Sequence, residues 1–156
     1  MPDEKKPNRV ALFLGGTWNT TNDNTNVWRL KSLCTASPEQ KIYYSGDSGY
    51  GPHFKAIGEE FGDVDLAIME NGQYDQDWKY IHMLPEETAQ ASVDLNAKAV
   101  VPGHNGRFVL AKHTWNDPLI KLSQASKDKP YRLLTPELGE PLRVNDATQQ
   151  FRAWWE

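Results

Sequence analysis

The sequence lacks the features that mark several common classes of protein. Its 156 residues include a single cysteine, Cys34, which excludes an internal disulfide and a cysteine-rich zinc site. No apolar stretch approaches the roughly 20 residues of a membrane span. No run of lysine or arginine is long enough to follow a phosphate backbone, and the formal net charge is −4, so nucleic-acid binding is not expected. The N-terminus has no apolar signal-peptide segment, and we therefore expect a cytoplasmic protein.

Histidine is absent from the first third of the chain. The four histidines all lie between residues 53 and 113, and they are His53, His82, His104 and His113. The composition is otherwise that of an ordinary globular protein, with 38% hydrophobic and 24% charged residues. A chain of this length can bury a sizeable core, and we expect residues 1–156 to form a single domain.

Short apolar runs alternate with helical patterns between residues 41 and 104, which favours an α/β layered fold. The predicted strands cover residues 9–14, 41–45 and 63–69, a run that ends at His104, and two short segments within 131–144. The predicted helices cover residues 27–34, 52–61 and 85–99, a segment from Pro118, and the C-terminal tail at 151–156. Residues 15–26 are rich in Thr and Asn and predict a loop.

Asp47, Glu70 and His104 each come just after a predicted strand. In open α/β sheets ligand sites form outside the carboxyl ends of the strands, so these three side chains are expected to converge. Carboxylate and imidazole suit Zn²⁺, Mn²⁺ or Fe. A structural interpretation stands beside this one, because an aspartate between small residues most often forms a turn. No histidine pair has the tight H-x-H or H-x₃-H spacing of a strong metal motif.

Three segments of the sequence resemble a known family, namely YYSGDSGYGPHFKAIGEEFGDVDLAIMENGQYDQDWKYIHMLPEE, VPGHNGRFVLAKHTW and LLTPELGE. Residues 42–155 resemble the C-terminal half of the metallo-β-lactamase superfamily, in particular bacterial relatives of N-acyl-phosphatidylethanolamine-hydrolysing phospholipase D. The resemblance implies a zinc hydrolase with an αβ/βα sandwich. It implies that Asp47 bridges two metal ions, that His104 is a terminal ligand and that His82 lies beside the substrate. His113 matches the second histidine of an L-A-L-H-P-W-like family segment.

The N-terminal part departs from that family. The family's H-x-H-x-D-H signature belongs to its N-terminal half, and this chain has no histidine before His53. Residues 9–40 resemble instead the start of DUF2235-type α/β-hydrolases, whose G-x-S-x-G elbow is absent from the chain, which argues against a serine hydrolase. The predicted fold is therefore a truncated half of a metallo-β-lactamase sandwich, residues 42–156, with an added N-terminal strand and loop within residues 1–41. The chain is predicted to be a chimera of two fragments.

The first functional hypothesis is a metal-dependent hydrolase, preferentially of phosphodiesters, with zinc as the expected cofactor and Mn²⁺ or Fe as alternatives. Its substrate would be a small-molecule ester. The predicted metal ligands are Asp47, His82, His104 and His113. The predicted proton-transfer residues are Glu70, Tyr74 and Asp75, and His53 is predicted to contact the substrate.

The second hypothesis is a non-catalytic binding or structural module in which Asp47 and His104 are relics. A half-sandwich exposes a sheet face that must be covered, so either hypothesis predicts a homodimer. Trp18 and Trp28 are the candidate residues of its interface.

Overall fold

A four-stranded parallel sheet forms the centre of the described part of the chain. The computed structural model describes residues 40–106, 108, 110–144 and 146–156. The predicted strand at 9–14, the predicted helix at 27–34, Trp18, Trp28 and the DUF2235-like segment lie outside these residues, so the homodimer stays a prediction. The strands are β1 (Ile42–Tyr44), β2 (Leu66–Glu70), β3 (Ala99–Gly103) and β4 (Arg132–Leu133). They lie side by side in chain order, and every neighbouring pair is parallel.

Each step from one strand to the next passes through a helix, as a parallel sheet requires. The helices are α1 (His53–Phe61), α2 (Pro85–Asp94) and α3 (Asp117–Ala125), and a short 3₁₀ helix covers Gln76–Trp78. Pro85 begins α2, and the Glu87 carboxylate accepts a hydrogen bond from the Leu84 amide at 2.9 Å. A proline at the first helical position and a carboxylate in the first turn both favour a helix start. This alternation confirms the predicted α/β class.

Both faces of the sheet carry apolar side chains, as is typical of parallel sheets. Successive residues of β2 point to opposite faces, so Ala67 and Met69 join one core cluster while Leu66 belongs to another. The first cluster includes Phe54 of α1 and is the larger of the two. The second is covered in part by Phe151 and other apolar residues of the C-terminal segment. None of the described helices has the length and apolar character needed to cross a membrane.

Three of the predictions differ from the structure. The helix predicted over 85–99 ends at Asp94, because Asn96 adopts a left-handed conformation with φ of 53° that stops the helix. The tail at 151–156 is not helical. It is held instead by side-chain packing and by a hydrogen bond of 3.0 Å from the Trp154 indole to the carbonyl of Thr135. Of the two strands predicted within 131–144, the described residues form only β4.

Candidate metal centre

The carboxyl ends of the first three strands bring the predicted site residues to one edge of the sheet. Asp47 follows β1 after a turn at Gly46, which has φ of 61°. Glu70 is the last residue of β2, and His104 directly follows β3. Because the strands are parallel and in register, Glu70 lies opposite Gly103. The convergence expected from strand ends is therefore present in the structure.

His104 has a backbone conformation that non-glycine residues rarely adopt, with φ of 60°. Its carbonyl oxygen lies against Gly72, where an added Cβ would come within 1.5 Å of that oxygen. Only glycine permits so close an approach. The turn after β2 is thus packed directly on the backbone that carries His104, and strain of this kind is common at functional sites.

His82 completes a group with His104 and Glu70. The two imidazole rings are stacked, with centroids 5.2 Å apart and an interplanar angle of 15°. His82 Nδ1 lies 3.2 Å from Glu70 Oε1. The three residues each offer one ligand atom, and these atoms all lie within 4.8 Å of one another. Trp78 borders this group, and its ring centroid lies 6.0 Å from that of His82 in a T-shaped arrangement.

Of the three residues in this group, Asp47 contacts only His104. Its Oδ1 lies 3.5 Å from His104 Nδ1, and it is not one of the three residues whose ligand atoms are mutually close. The side chain of Asp47 is 57% exposed and that of His104 is 37% exposed. Both therefore face solvent, where a substrate has access.

Glu70 is buried, with a side chain 0% exposed. Its Oε1 accepts hydrogen bonds from the backbone amides of Gly72 at 3.1 Å and Gln73 at 3.4 Å. Its Oε2 accepts one from the amide of Met83 at 2.8 Å. Glu70 therefore lies beside the histidines, but its carboxylate is already engaged by the backbone on both sides of the 71–82 loop.

The donor set fits a metal ion. Two imidazoles and one carboxylate are the ligands that Zn²⁺, Mn²⁺ and Fe²⁺ commonly take in catalytic sites, where another position stays open. His82 Nδ1 is buried and makes no hydrogen bond, although Glu70 Oε1 is only 3.2 Å away. Buried polar atoms without a hydrogen-bond partner are uncommon in folded proteins, and a bound ion is one explanation of them.

Tyr74, Asp75 and His113 lie in a separate cleft of about 480 Å³. The Tyr74 ring stacks on His113 with centroids 4.2 Å apart. The Tyr74 hydroxyl donates to Asp117 and accepts from Lys121. The other lining residues are Gln76, Asp77, Leu84, Lys112 and Lys121. His113 is thus placed away from the group formed by Glu70, His82 and His104.

The charges of this cleft are fixed by their neighbours. Burial, followed by the hydrogen bond to Asp117, raises the pKa of Tyr74, which keeps the phenol protonated. Burial alone would raise the pKa of Asp117, but the hydrogen bonds from Tyr74 and Lys121 outweigh it and the pKa is lowered. The Asp77 amide, aided by Lys112, lowers the pKa of Asp75. Asp75 is therefore an ionised and paired carboxylate.

His53 is the first residue of α1 and contacts the loop that carries Asp47. Its Nε2 lies 3.4 Å from the hydroxyl oxygen of Ser48, and its ring packs on Phe54 with centroids 4.1 Å apart. Burial lowers the pKa of His53, so the ring is neutral at pH values near 7.

Several residues of these sites were not singled out by the sequence, among them Gly72, Asp117 and Lys121. Gly72 lies in an Asn-Gly-Gln turn whose close approach to His104 depends on the pairing of β2 with β3. Asp117 and Lys121 are four residues apart in α3, a spacing that predicts an ion pair on a helix face, and their atoms lie 3.0 Å apart. That spacing does not predict that the Tyr74 hydroxyl hydrogen-bonds to both residues.

The chain is similar to several known proteins. A family model described as "Beta-lactamase superfamily domain" matches residues 13–105. "Outer membrane protein RomA" of Klebsiella pneumoniae is 74% identical over 84 residues, which are 54% of this chain and 62% of that protein. "N-acyl-phosphatidylethanolamine-hydrolyzing phospholipase D, mitochondrial" of Saccharomyces cerevisiae is 33% identical over 126 residues, 75% of this chain and 26% of that protein. "UPF0173 metal-dependent hydrolase" of Pyrobaculum islandicum is 33% identical over 146 residues, 86% of this chain and 60% of that protein.

The chain spans 62%, 26% and 60% of the lengths of these three relatives. The family match begins at residue 13, so it also includes most of the segment likened to DUF2235-type hydrolases, and that second likeness stays a prediction. The match covers more than half of the chain and includes Asp47, Glu70, His82 and His104. The chain belongs to the metallo-β-lactamase superfamily.

Proposed function

We propose that the protein is a metal-dependent hydrolase of ester bonds, with phosphodiesters as the preferred substrates and zinc as the preferred metal. The observation that carries the proposal is the meeting of His82, from the loop after β2, with His104 and a carboxylate at the carboxyl edge of the parallel sheet. A bound metal ion would act as a Lewis acid and lower the pKa of a coordinated water. Names of two relatives, a metal-dependent hydrolase and a phospholipase D, support the reaction class and the phosphodiester preference.

The chain's own residues have separate tasks in this proposal. His82 and His104 hold the metal, together with the carboxylate of Asp47 or Glu70. The exposed sides of Asp47 and His104 leave room for a substrate. His53 is neutral and lies beside Ser48, so it contacts the substrate as a hydrogen-bonding group and carries no charge.

The cleft around Tyr74 receives a polar part of the substrate. Leu84 lines it and is two residues beyond His82, so the cleft and the histidine group share one chain segment. Lys112 and Lys121 also line the cleft, but Lys112 is paired with Asp75 and Asp77 and Lys121 with Asp117, so the cleft offers polar groups without an excess of positive charge. Tyr74 and Asp75 act here in substrate binding, because the Tyr74 proton is held by Asp117 and Asp75 is paired with Lys112 at 3.3 Å.

Elemental analysis and a substrate panel test this proposal. We expect the purified protein to bind zinc and to hydrolyse phosphodiesters faster than carboxylic esters, with activity lost on chelation and restored by zinc. His104→Ala should abolish zinc binding and reduce activity by at least about 100-fold, since it removes a direct ligand. The matched control is His113→Ala, which removes an imidazole from the cleft and should leave the zinc content unchanged.

Other outcomes would correct the proposal in defined ways. A metal-free protein without chelator-sensitive activity would favour the non-catalytic module. Hydrolysis of carboxylic esters alone would overturn the phosphodiester preference. Loss of zinc from His113→Ala with retention in His104→Ala would move the metal site to the cleft.

A further inference from the structure

We propose that Trp78 determines substrate specificity at the metal site by packing against an apolar group, alkyl or aryl, of the ester. This inference rests on the proposed function and deepens it, because it names the class of phosphodiester that the site accepts. It concerns the binding of the substrate, so it can be tested without a hydrolytic assay.

The exposed large apolar side chains concentrate at the edge of the sheet that carries the metal group. The described part of the chain has seven of them, and six lie in the segments that follow β1, β2 and β3, namely Tyr50, Trp78, Tyr80, Phe108, Leu110 and Trp115. Single exposed apolar residues are ordinary on a protein surface, whereas a concentration of them is typical of a binding site. The carboxyl edge therefore offers apolar contacts beside the polar groups of the metal site.

Trp78 is in direct contact with the metal group. Its ring lies against that of His82 in the T-shaped arrangement described above, and its side chain remains partly open to solvent, with 36% of the residue exposed. Trp115 differs, because its ring stacks on Trp154 of the C-terminal segment with centroids 6.1 Å apart. An ester held at the His82 imidazole would therefore have the indole of Trp78 beside it.

The backbone fixes the place of Trp78 relative to both sides of the site. The Trp78 carbonyl accepts a hydrogen bond from the His82 amide at 2.9 Å, so the two residues keep their relative positions. The same segment packs on the loop that carries Asp47, since a Cβ at Gly49 would lie 2.5 Å from the carbonyl oxygen of Tyr80. A side chain held in this way is preorganised, and little conformational entropy is lost when a ligand packs against it.

Two more apolar side chains are attached to the same loop. The Gln73 amide group donates to the carbonyl of Phe108 at 2.9 Å and accepts from the amide of Leu110 at 3.2 Å. Phe108 is 64% exposed and Leu110 is 65% exposed. The apolar surface that begins at Trp78 therefore continues on the segment after His104. Burial of hydrocarbon on such a surface is favourable, and the indole contributes a large, flat contact area.

Titrations with two phosphonates test this inference on the zinc-loaded protein. Methylphosphonate and hexylphosphonate share the group that binds a metal and differ only in the length of the apolar chain. We expect hexylphosphonate to bind at least about 10-fold more tightly in isothermal titration calorimetry, because its chain packs on one side against Trp78. In Trp78→Ala this preference should fall to about 2-fold or less, while methylphosphonate affinity and zinc stoichiometry stay unchanged. Trp78→Phe should retain part of the preference.

Trp115→Ala is the matched control, because it removes an exposed tryptophan that packs on the C-terminal segment, and it should keep the full preference for hexylphosphonate. An unchanged preference in Trp78→Ala would overturn the inference. So would loss of zinc from Trp78→Ala, which would assign the ring to the support of His82. Equal affinities of the wild type for the two phosphonates, with binding instead to phosphatidylcholine vesicles, would assign the apolar edge to a lipid surface and overturn it as well.

Failure of this inference can be told apart from failure of the proposed function. A protein that binds no zinc overturns both. Equal binding of the two phosphonates to the zinc-loaded protein overturns the role of Trp78 alone. A zinc-loaded protein that prefers hexylphosphonate through Trp78 but hydrolyses no ester supports the inference and ends the proposed hydrolase activity.

Discussion

At the scale of single residues, burial of His53 makes part of the protein's stability depend on pH. Because burial lowers the pKa of the folded-state ring, the unfolded chain takes up a proton at a higher pH than the folded chain. This contribution is complete above the unfolded pKa of about 6.5 and is lost as the pH falls through that value towards the folded pKa. We expect the free energy of unfolding, measured with urea, to decrease between about pH 7 and about pH 5.

The variant His53→Gln tests the source of this decrease. It removes the titrating ring but keeps a hydrogen-bonding group near Ser48, so its stability should decrease less over the same range. At about pH 8 the ring is neutral in both states, and a comparison there measures the effect of packing alone. A variant with the same pH slope as the wild type would exclude His53 as a cause.

At the scale of elements, the contact between the turn after β2 and the end of β3 holds the site together. Gly72→Ala places a methyl group 1.5 Å from the carbonyl oxygen of His104, so the two backbones must separate. We expect a loss of about 3 kcal/mol in the free energy of unfolding, from thermal or urea denaturation. Zinc binding should weaken as well, because His104 moves.

Gly103→Ala is the matched control for this substitution. A Cβ at position 103 would meet Ile68 and Met69 at an ordinary 3.5 Å, so its effect should stay within about 1 kcal/mol. Equal effects of the two alanine substitutions would show that the close contact at Gly72 is not what destabilises the protein.

The strands could be predicted from the sequence because the pattern of each strand lies in neighbouring residues. The edge where their carboxyl ends meet could be predicted because parallel order places these ends together. The run at 41–45 is β-branched and aromatic, and the one at 63–69 is apolar, so each reads as a strand without knowledge of its neighbours. The approach of Asp47 and Glu70 to His104 at this edge then follows from the parallel order of the strands.

The placement of His113 depends on contacts between distant residues, which local pattern does not contain. The side chain of Gln73 donates to the carbonyl of Phe108 at 2.9 Å and accepts from the amide of Leu110 at 3.2 Å. These bonds hold Phe108 and Leu110 against the loop that carries Tyr74, and His113 follows them in the chain and stacks on Tyr74. The burial of Glu70 likewise depends on backbone amides from two sides of a loop. From local pattern alone, a glutamate at the end of a strand is equally compatible with an exposed side chain.

At the scale of the whole molecule, metal binding should stabilise the fold. An ion that binds only the folded state adds RT ln(1 + [L]/Kd), about 2.7 kcal/mol at a hundredfold excess over Kd. For a domain of this size that corresponds to a rise of roughly 5–10 °C in Tm. We expect this rise with added zinc in differential scanning calorimetry, and its reversal by chelator.

The rise in Tm should be absent in His104→Ala and present in His113→Ala. A rise of the same size in both variants would mean that zinc binds elsewhere in the chain. No change in the wild type would indicate that the folded state has no preferred zinc site.

The bonds that Glu70 makes to both ends of the 71–82 loop have a kinetic consequence. One side chain holds Gly72 and Gln73 at the start of the loop and Met83 just beyond its end, so these attachments are lost and regained together. We therefore expect the loop to open as a cooperative unit whose amides become exposed to water together. His82 is inside that unit, whereas Asp47 and His104 are outside it. In the proposed metal site, His82 would therefore reach the other ligands only when this loop closes, so the frequency of loop closure would limit the rate of metal binding.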